Sequence, residues 1–164
     1  TDGNIQVALD ALASSRHPHS FLGIDQDGRS CIVKTAGNAW GHIVLRGSRN
    51  GPNYDAGCVR STADRLRLAG LPAAVLIDCS HGNTDKRYEM QAEVFRQCVS
   101  DRAVGSAIIG AMLESNLYEG SQSLGETGNG LRYGVSITDA CIGWEQTEQL
   151  LRWAAAHPPA EKKP

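Results

Sequence analysis

The chain has 164 residues, a formal net charge of −2 and 41% hydrophobic residues. That length supports one domain with a real core. The near-neutral charge gives nucleic acid or an anionic membrane nothing to hold, and no apolar run approaches the ~20 residues of a bilayer span.

The N-terminal TDGNIQVALD has neither the basic nor the apolar region of a signal peptide. It opens without Met and reads like the middle of a longer chain. The five cysteines (Cys31, Cys58, Cys79, Cys98, Cys141) are odd in number and widely spaced, with no CxxC pair. That argues against a disulfide framework or a zinc ribbon and for free thiols in a reducing cytoplasm.

In chain order, Asn4 to Ser15 reads as a helix, with Ile5, Ala8, Leu9 and Leu12 at helical spacing and Asp2 or Asn4 placed to cap it. His17, Pro18 and His19 break it and read as a solvated turn, since no acidic or cysteine partner stands at ligand spacing. Ser20–Asp25 and Ser30–Thr35 are short strand-like runs flanking Asp27-Gly28, a hairpin signal. His42 to Leu45 is an apolar strand ending in Arg46-Gly47, and a Gly/Ser/Asn/Pro loop follows. A helix over Ala56–Leu68 ends at Gly70 and Pro72. Next come a strand at Ala74–Ile77, a helix at Arg87–Val99 and a strand at Ala107–Leu113 that stops at Glu114. The glycine-rich stretch from Leu117 to Gly134 is an excursion with hairpin character at Gly128–Tyr133, and it lacks the strand-then-helix context of a nucleotide fingerprint. Thr138 or Asp139 begins a last helix through about Ala156. Residues 157–164 form a polar tail expected to be disordered. Strand and helix alternate, which predicts an α/β fold with a parallel sheet and helices outside. Three parallel strands alone make a poor closed domain.

The chemistry concentrates where apolar runs stop. AVLI ends at Asp78 and opens into a loop holding His81, Asn83, Asp85 and Lys86; HIVL ends at Arg46, and IIGAML at Glu114. In parallel α/β folds the strand C-terminal ends carry the site. An arginine before a glycine can hold a phosphate or carboxylate in two-pronged fashion, and a surface arginine fits the same pattern. His81, Glu114 and Asp139, one imidazole and two carboxylates, suit a divalent cation such as Mn²⁺, Fe²⁺, Zn²⁺ or Co²⁺, though strand-end carboxylates commonly serve as caps or ion-pair partners. Asp78 is placed to orient a neighbour. Lys86 is a candidate phosphate neutraliser or a solvated lysine. Cys79 reads as a small apolar filler, and Trp40, Trp144 and Trp153 as packing residues.

HIVLRG followed by GPNY, then IDCSHGNTDK, IIGAMLESNLYEG and GVSITDACIGWEQT, resemble in sequence and order the class I 3-deoxy-D-arabino-heptulosonate 7-phosphate (DAHP) synthases. The resemblance runs from Thr1 to about Trp153. It implies a (β/α)₈ TIM barrel of which residues 1–156 are the C-terminal portion, with Phe21–Thr35 as an inserted β-hairpin. It also implies a metal-dependent transferase of the shikimate pathway, leading to aromatic amino acids, in the cytoplasm. The activity implied is condensation of phosphoenolpyruvate with erythrose 4-phosphate. His81, Glu114 and Asp139 match the family's metal ligands, with His81 and Asp139 as catalytic residues; Arg46 matches a phosphoenolpyruvate-binding arginine, and Lys86 is assigned to substrate.

The family's fourth ligand is a cysteine on the first barrel strand, and none of these five cysteines sits in its motif. The family's other phosphoenolpyruvate-binding residues, two arginines and a lysine, also lie upstream of Thr1. The expectation is a piece that needs the remaining barrel half, in cis or in trans, to be active, and that joins a homo-oligomer in full-length form. The alternative is a non-catalytic regulatory or oligomerisation fragment, since the family's hairpin is implicated in feedback inhibition by aromatic amino acids.

Overall fold

The computed structural model describes residues 3–102, 107–125 and 128–158. Two β layers of different character are present. An antiparallel ribbon pairs β1 (His19–Ile24) with β2 (Ser30–Thr35) in the register His19↔Thr35 to Ile24↔Ser30. The turn is set by Asp25, whose carboxylate accepts from the Asp27 and Arg29 N–H groups. Separately, β3 (Ile43–Leu45), β4 (Val75–Asp78) and β5 (Ile108–Met112) form a parallel sheet in the order β3-β4-β5.

Helices α1 (Ile5–Ser15), α2 (Ala56–Leu68), α3 (Gln91–Arg102) and α4 (Trp144–Ala156) complete the fold. Asn4 caps α1, accepting from the Gln6 N–H, while Asp2 lies outside the described residues. Asp55 caps α2 by accepting from Gly57 and Cys58, which satisfies donors that a helix start leaves open. Leu9, Leu12, Val59, Leu66, Val94, Phe95 and Leu150 from the helices pack with Ile43, Leu45, Val75, Ile77 and Ile108 from the sheet into one core. Alternation along a strand sends neighbouring side chains to opposite faces. The other face of the sheet therefore carries Val44, 40% exposed, and Met112, 42% exposed.

Three expectations change. The predicted helix over Arg87–Val99 begins as a 3-10 turn at Tyr88–Met90 and becomes α-helical only at Gln91. The last helix starts at Trp144, capped by Gly143, rather than at Thr138 or Asp139. Cys141 and Ile142 are instead held in backbone bridges to Gly120 and Ser115, and paired residues cannot join a helix. The hairpin expected at Gly128–Tyr133 is absent among the described residues. Gln122 organises that excursion, accepting from the Arg132 N–H and donating to the Arg132 and Val135 carbonyls. Of the tail, His157 stacks on Trp153 with ring centroids 4.4 Å apart, and residues 159–164 lie outside the described residues.

Candidate metal centre

The C-terminal ends of the three parallel strands point the same way, so the residues just past them share one rim. Arg46 follows β3 directly, His81 lies three residues past β4, and Glu114 two past β5. Asp139 reaches the same place by another route. The Ile142 N–H donates to the Glu114 carbonyl (3.0 Å), and Cys141 and Gly120 exchange N–H···O bonds. This backbone pairing sets the segment carrying Asp139 beside the end of β5.

One potential ligand atom from each of His81, Glu114 and Asp139 lies within 4.8 Å of the others. His81 Nε2 is 3.4 Å from Glu114 Oε1 and 3.7 Å from Asp139 Oδ2. His81 and Glu114 are largely covered, and Asp139 is over half exposed. The far side of the imidazole faces Asp78, with Nδ1 2.8 Å from Oδ2. That contact lacks the directionality of a hydrogen bond, so Nδ1 is a buried polar atom without an in-line partner. Asp78 is almost wholly buried, and its other oxygen accepts from the Ser80 N–H (2.9 Å).

The loop that presents His81 is strained and tightly held. His81 (φ +52°), Asp85 (φ +52°) and Lys86 (φ +59°) all adopt the left-handed region without being glycine, a conformation that persists only where the surroundings enforce it. The enforcement is visible. The buried Asn83 donates to the carbonyls of Leu45 and Asp78 and accepts from the Asn53 N–H. Asn53 in turn accepts from the Gly47 N–H, and the Gly82 N–H donates to the Arg46 carbonyl. Gly47 and Gly82 lie backbone against backbone, where a Cβ on Gly47 would stand 2.3 Å from the Gly82 carbonyl carbon. The loops after β3 and β4 thus form one unit that fixes Arg46 relative to His81.

Arg46 is half-buried, and its guanidinium has no hydrogen-bond or ion-pair partner among the described residues. Lys86 is exposed; its backbone N–H closes the loop onto the His81 carbonyl (2.9 Å). Cys79 is fully buried and burial pushes its thiol well up, while the Cys98 thiol is raised to about 11 for the same reason. Both pack among the apolar side chains of the core.

Ser80, Asn53 and Gln91 were not singled out from the sequence as parts of the site. Gln91 is wholly buried on the inward side of α3. A polar residue on the apolar stripe of a helix was the available signal.

The family model described as the DAHP synthetase I family matches residues 2–152. The chain is 51% identical over 156 residues to the Phe-sensitive phospho-2-dehydro-3-deoxyheptonate aldolase of Escherichia coli K12, covering 94% of this chain and 44% of that protein. It is 43% identical to the phenylalanine-inhibited aldolase of Saccharomyces cerevisiae, again over 94% of this chain and 44% of the relative. The solved phospho-2-dehydro-3-deoxyheptonate aldolase of Francisella tularensis superimposes with a TM-score of 0.92 at 36% identity, over 99% of this chain and 47% of that one. The chain therefore spans less than half the length of these relatives.

Proposed function

The chain belongs to the DAHP synthetase I family, and from that membership we propose that it supplies the C-terminal part of a 3-deoxy-7-phosphoheptulonate synthase. The reaction is the condensation of phosphoenolpyruvate with erythrose 4-phosphate. In this reading residues 1–156 are the later strands and helices of a (β/α)₈ barrel, the β1–β2 ribbon is an insertion, and the remaining half comes in cis or in trans. The single observation that carries the reading is the convergence of His81, Glu114 and Asp139, from three separate segments, at the C-terminal rim of a parallel sheet.

The donor set fits a divalent cation. Bonds of about 2.1 Å at tetrahedral or octahedral angles bring neighbouring ligand atoms about 3.0–3.4 Å apart. The spacings of 3.4 and 3.7 Å from His81 Nε2 are close to that. One imidazole nitrogen and two carboxylate oxygens suit Mn²⁺, Fe²⁺, Co²⁺ or Zn²⁺. The 2.8 Å approach of His81 Nδ1 to Asp78 Oδ2 supports the same assignment. A buried carboxylate there keeps the ring proton on Nδ1 and leaves the Nε2 lone pair for a metal.

His81, Glu114 and Asp139 would hold such a cation, and it would supply Lewis-acid polarisation of the aldehyde oxygen of erythrose 4-phosphate. The chain's own residues do the rest of what is proposed here. Arg46, whose backbone carbonyl accepts from the Gly82 N–H in the loop of His81, binds the carboxylate or phosphate of phosphoenolpyruvate through its guanidinium. Lys86 neutralises a phosphate at the edge of the rim. Asp78 fixes the imidazole, and Glu114 and Asp139 complete the metal-binding face.

The test is product formation by the chain extended upstream in its gene. Chelation abolishes activity and Mn²⁺ restores it; His81→Ala removes the response to Mn²⁺. Activity that survives both chelation and His81→Ala would overturn the assignment.

A further inference from the structure

Glu114 is held from two sides by neutral side chains. The last rung between β4 and β5 is the Cys79 N–H donating to the Met112 carbonyl (2.9 Å). Beyond it Gln91 takes over the role of a neighbouring strand. Its Oε1 accepts from the Glu114 N–H (2.8 Å) and its Nε2 donates to the Glu114 carbonyl (3.2 Å). Gln91 is completely buried, and its amide oxygen and amide nitrogen are both engaged by this one residue. The backbone from which the Glu114 side chain departs is thereby fixed.

The carboxylate itself is held by Ser80, which is 4% exposed. Its Oγ donates to Glu114 Oε2 (2.8 Å), and Oε1 is the oxygen that faces His81. Ser80 is in turn held by its own N–H on Asp78, the carboxylate whose other oxygen touches His81. One buried aspartate therefore sets both the imidazole and the serine that aims the glutamate.

We propose that Ser80 is a positioning residue that locks Glu114 into one metal-ligating pose by occupying Oε2 and leaving Oε1 toward His81. This rests on the metal-centre reading above. A ligand that must be selected from several rotamers loses affinity in proportion to the fraction in the competent one. A neutral hydroxyl does the aiming without cancelling the charge the cation needs, which a lysine or arginine in its place would do.

The experiment measures Mn²⁺ affinity by the paramagnetic resonance signal of free Mn²⁺, with metal-free thermal unfolding alongside, on the chain extended upstream. Ser80→Ala weakens binding by about 10- to 100-fold, with metal-free unfolding close to that of the parent. Ser80→Cys, similar in volume but a weaker donor, gives an intermediate loss. In a Glu114→Ala background Ser80→Ala causes no further loss, because its effect runs through Glu114. If Glu114→Ala weakens binding while Ser80→Ala and Ser80→Cys bind like the parent, the proposal is overturned and the metal centre stands. An equal loss from Ser80→Ala in the Glu114→Ala background also overturns it. If Glu114→Ala itself leaves Mn²⁺ affinity unchanged, the metal-centre reading falls and this proposal falls with it.

Discussion

At the scale of single residues the rim is organised by a group that does not belong to the proposed ligand set. Asp78 ends β4, is nearly inaccessible to solvent, and touches both His81 and Ser80. A buried carboxylate persists only with partners of this kind. Asp78→Asn is expected to reduce divalent-metal affinity by about 10- to 100-fold while leaving the fold in place, since the amide keeps the shape and loses the charge that holds the Nδ1 proton. Titration of the extended chain with Mn²⁺ checks this; unchanged affinity would remove Asp78 from the account. His81 and Glu114 were legible in the sequence because each stands just past an apolar run that stops abruptly. Ser80 and Gln91 were not. A serine beside a histidine in a polar loop carries no periodic signal, and the partner that gives each its meaning is 34 or 23 residues away.

At the scale of elements, the loops after β3 and β4 are built as a pair. Gly47 has φ +79° and no room for a side chain against Gly82. Gly47→Ala combines a left-handed alanine with a backbone clash, and is expected to cost about 1–3 kcal/mol and to displace the His81 loop. Chemical denaturation together with Mn²⁺ affinity reads both effects. Helix α2 offers a test of its start. The Cys58 thiol, with the N–H groups of Cys58 and Gly57, holds the Asp55 carboxyl below the usual carboxylate range. Asp55→Ala is expected to cost about 1 kcal/mol at neutral pH. A lowered carboxyl pKa adds stability that is complete above the ordinary carboxylate value and fades as pH falls through the lowered one. The difference between Asp55→Ala and the parent therefore shrinks only in strong acid. Helix α2, found at Ala56–Leu68, was legible in outline because Gly70 and Pro72 end it. The start of α4 was not, because the bridges of Cys141 and Ile142 to Ser115 and Gly120 are tertiary pairings that no local signal announces.

At the scale of the whole molecule, parallel sheets are ordinarily covered on both faces. Here helices cover one face, and Val44 and Met112 lie open on the other. The ribbon adds Leu22, Ile24 and Ile32 at 70–78% exposure. Apolar surface of this kind is a face that further protein covers. It agrees with a chain that spans 44% of the E. coli and yeast relatives. Among the described residues no helix is long and apolar enough to cross a membrane. The α/β alternation behind this picture was readable from sequence, whereas the open face follows only from which side of each strand the helices cover.

The most direct test of the central claim, that these residues form one part of a shared metal-dependent site, is product formation from phosphoenolpyruvate and erythrose 4-phosphate with added Mn²⁺. The assay compares the 164-residue chain alone with the chain extended upstream in its gene. Product is expected from the extended chain and none from the 164 residues by themselves. Full metal-dependent activity of the isolated chain, or none from an extended chain whose upstream ligand and substrate residues are intact, would contradict it.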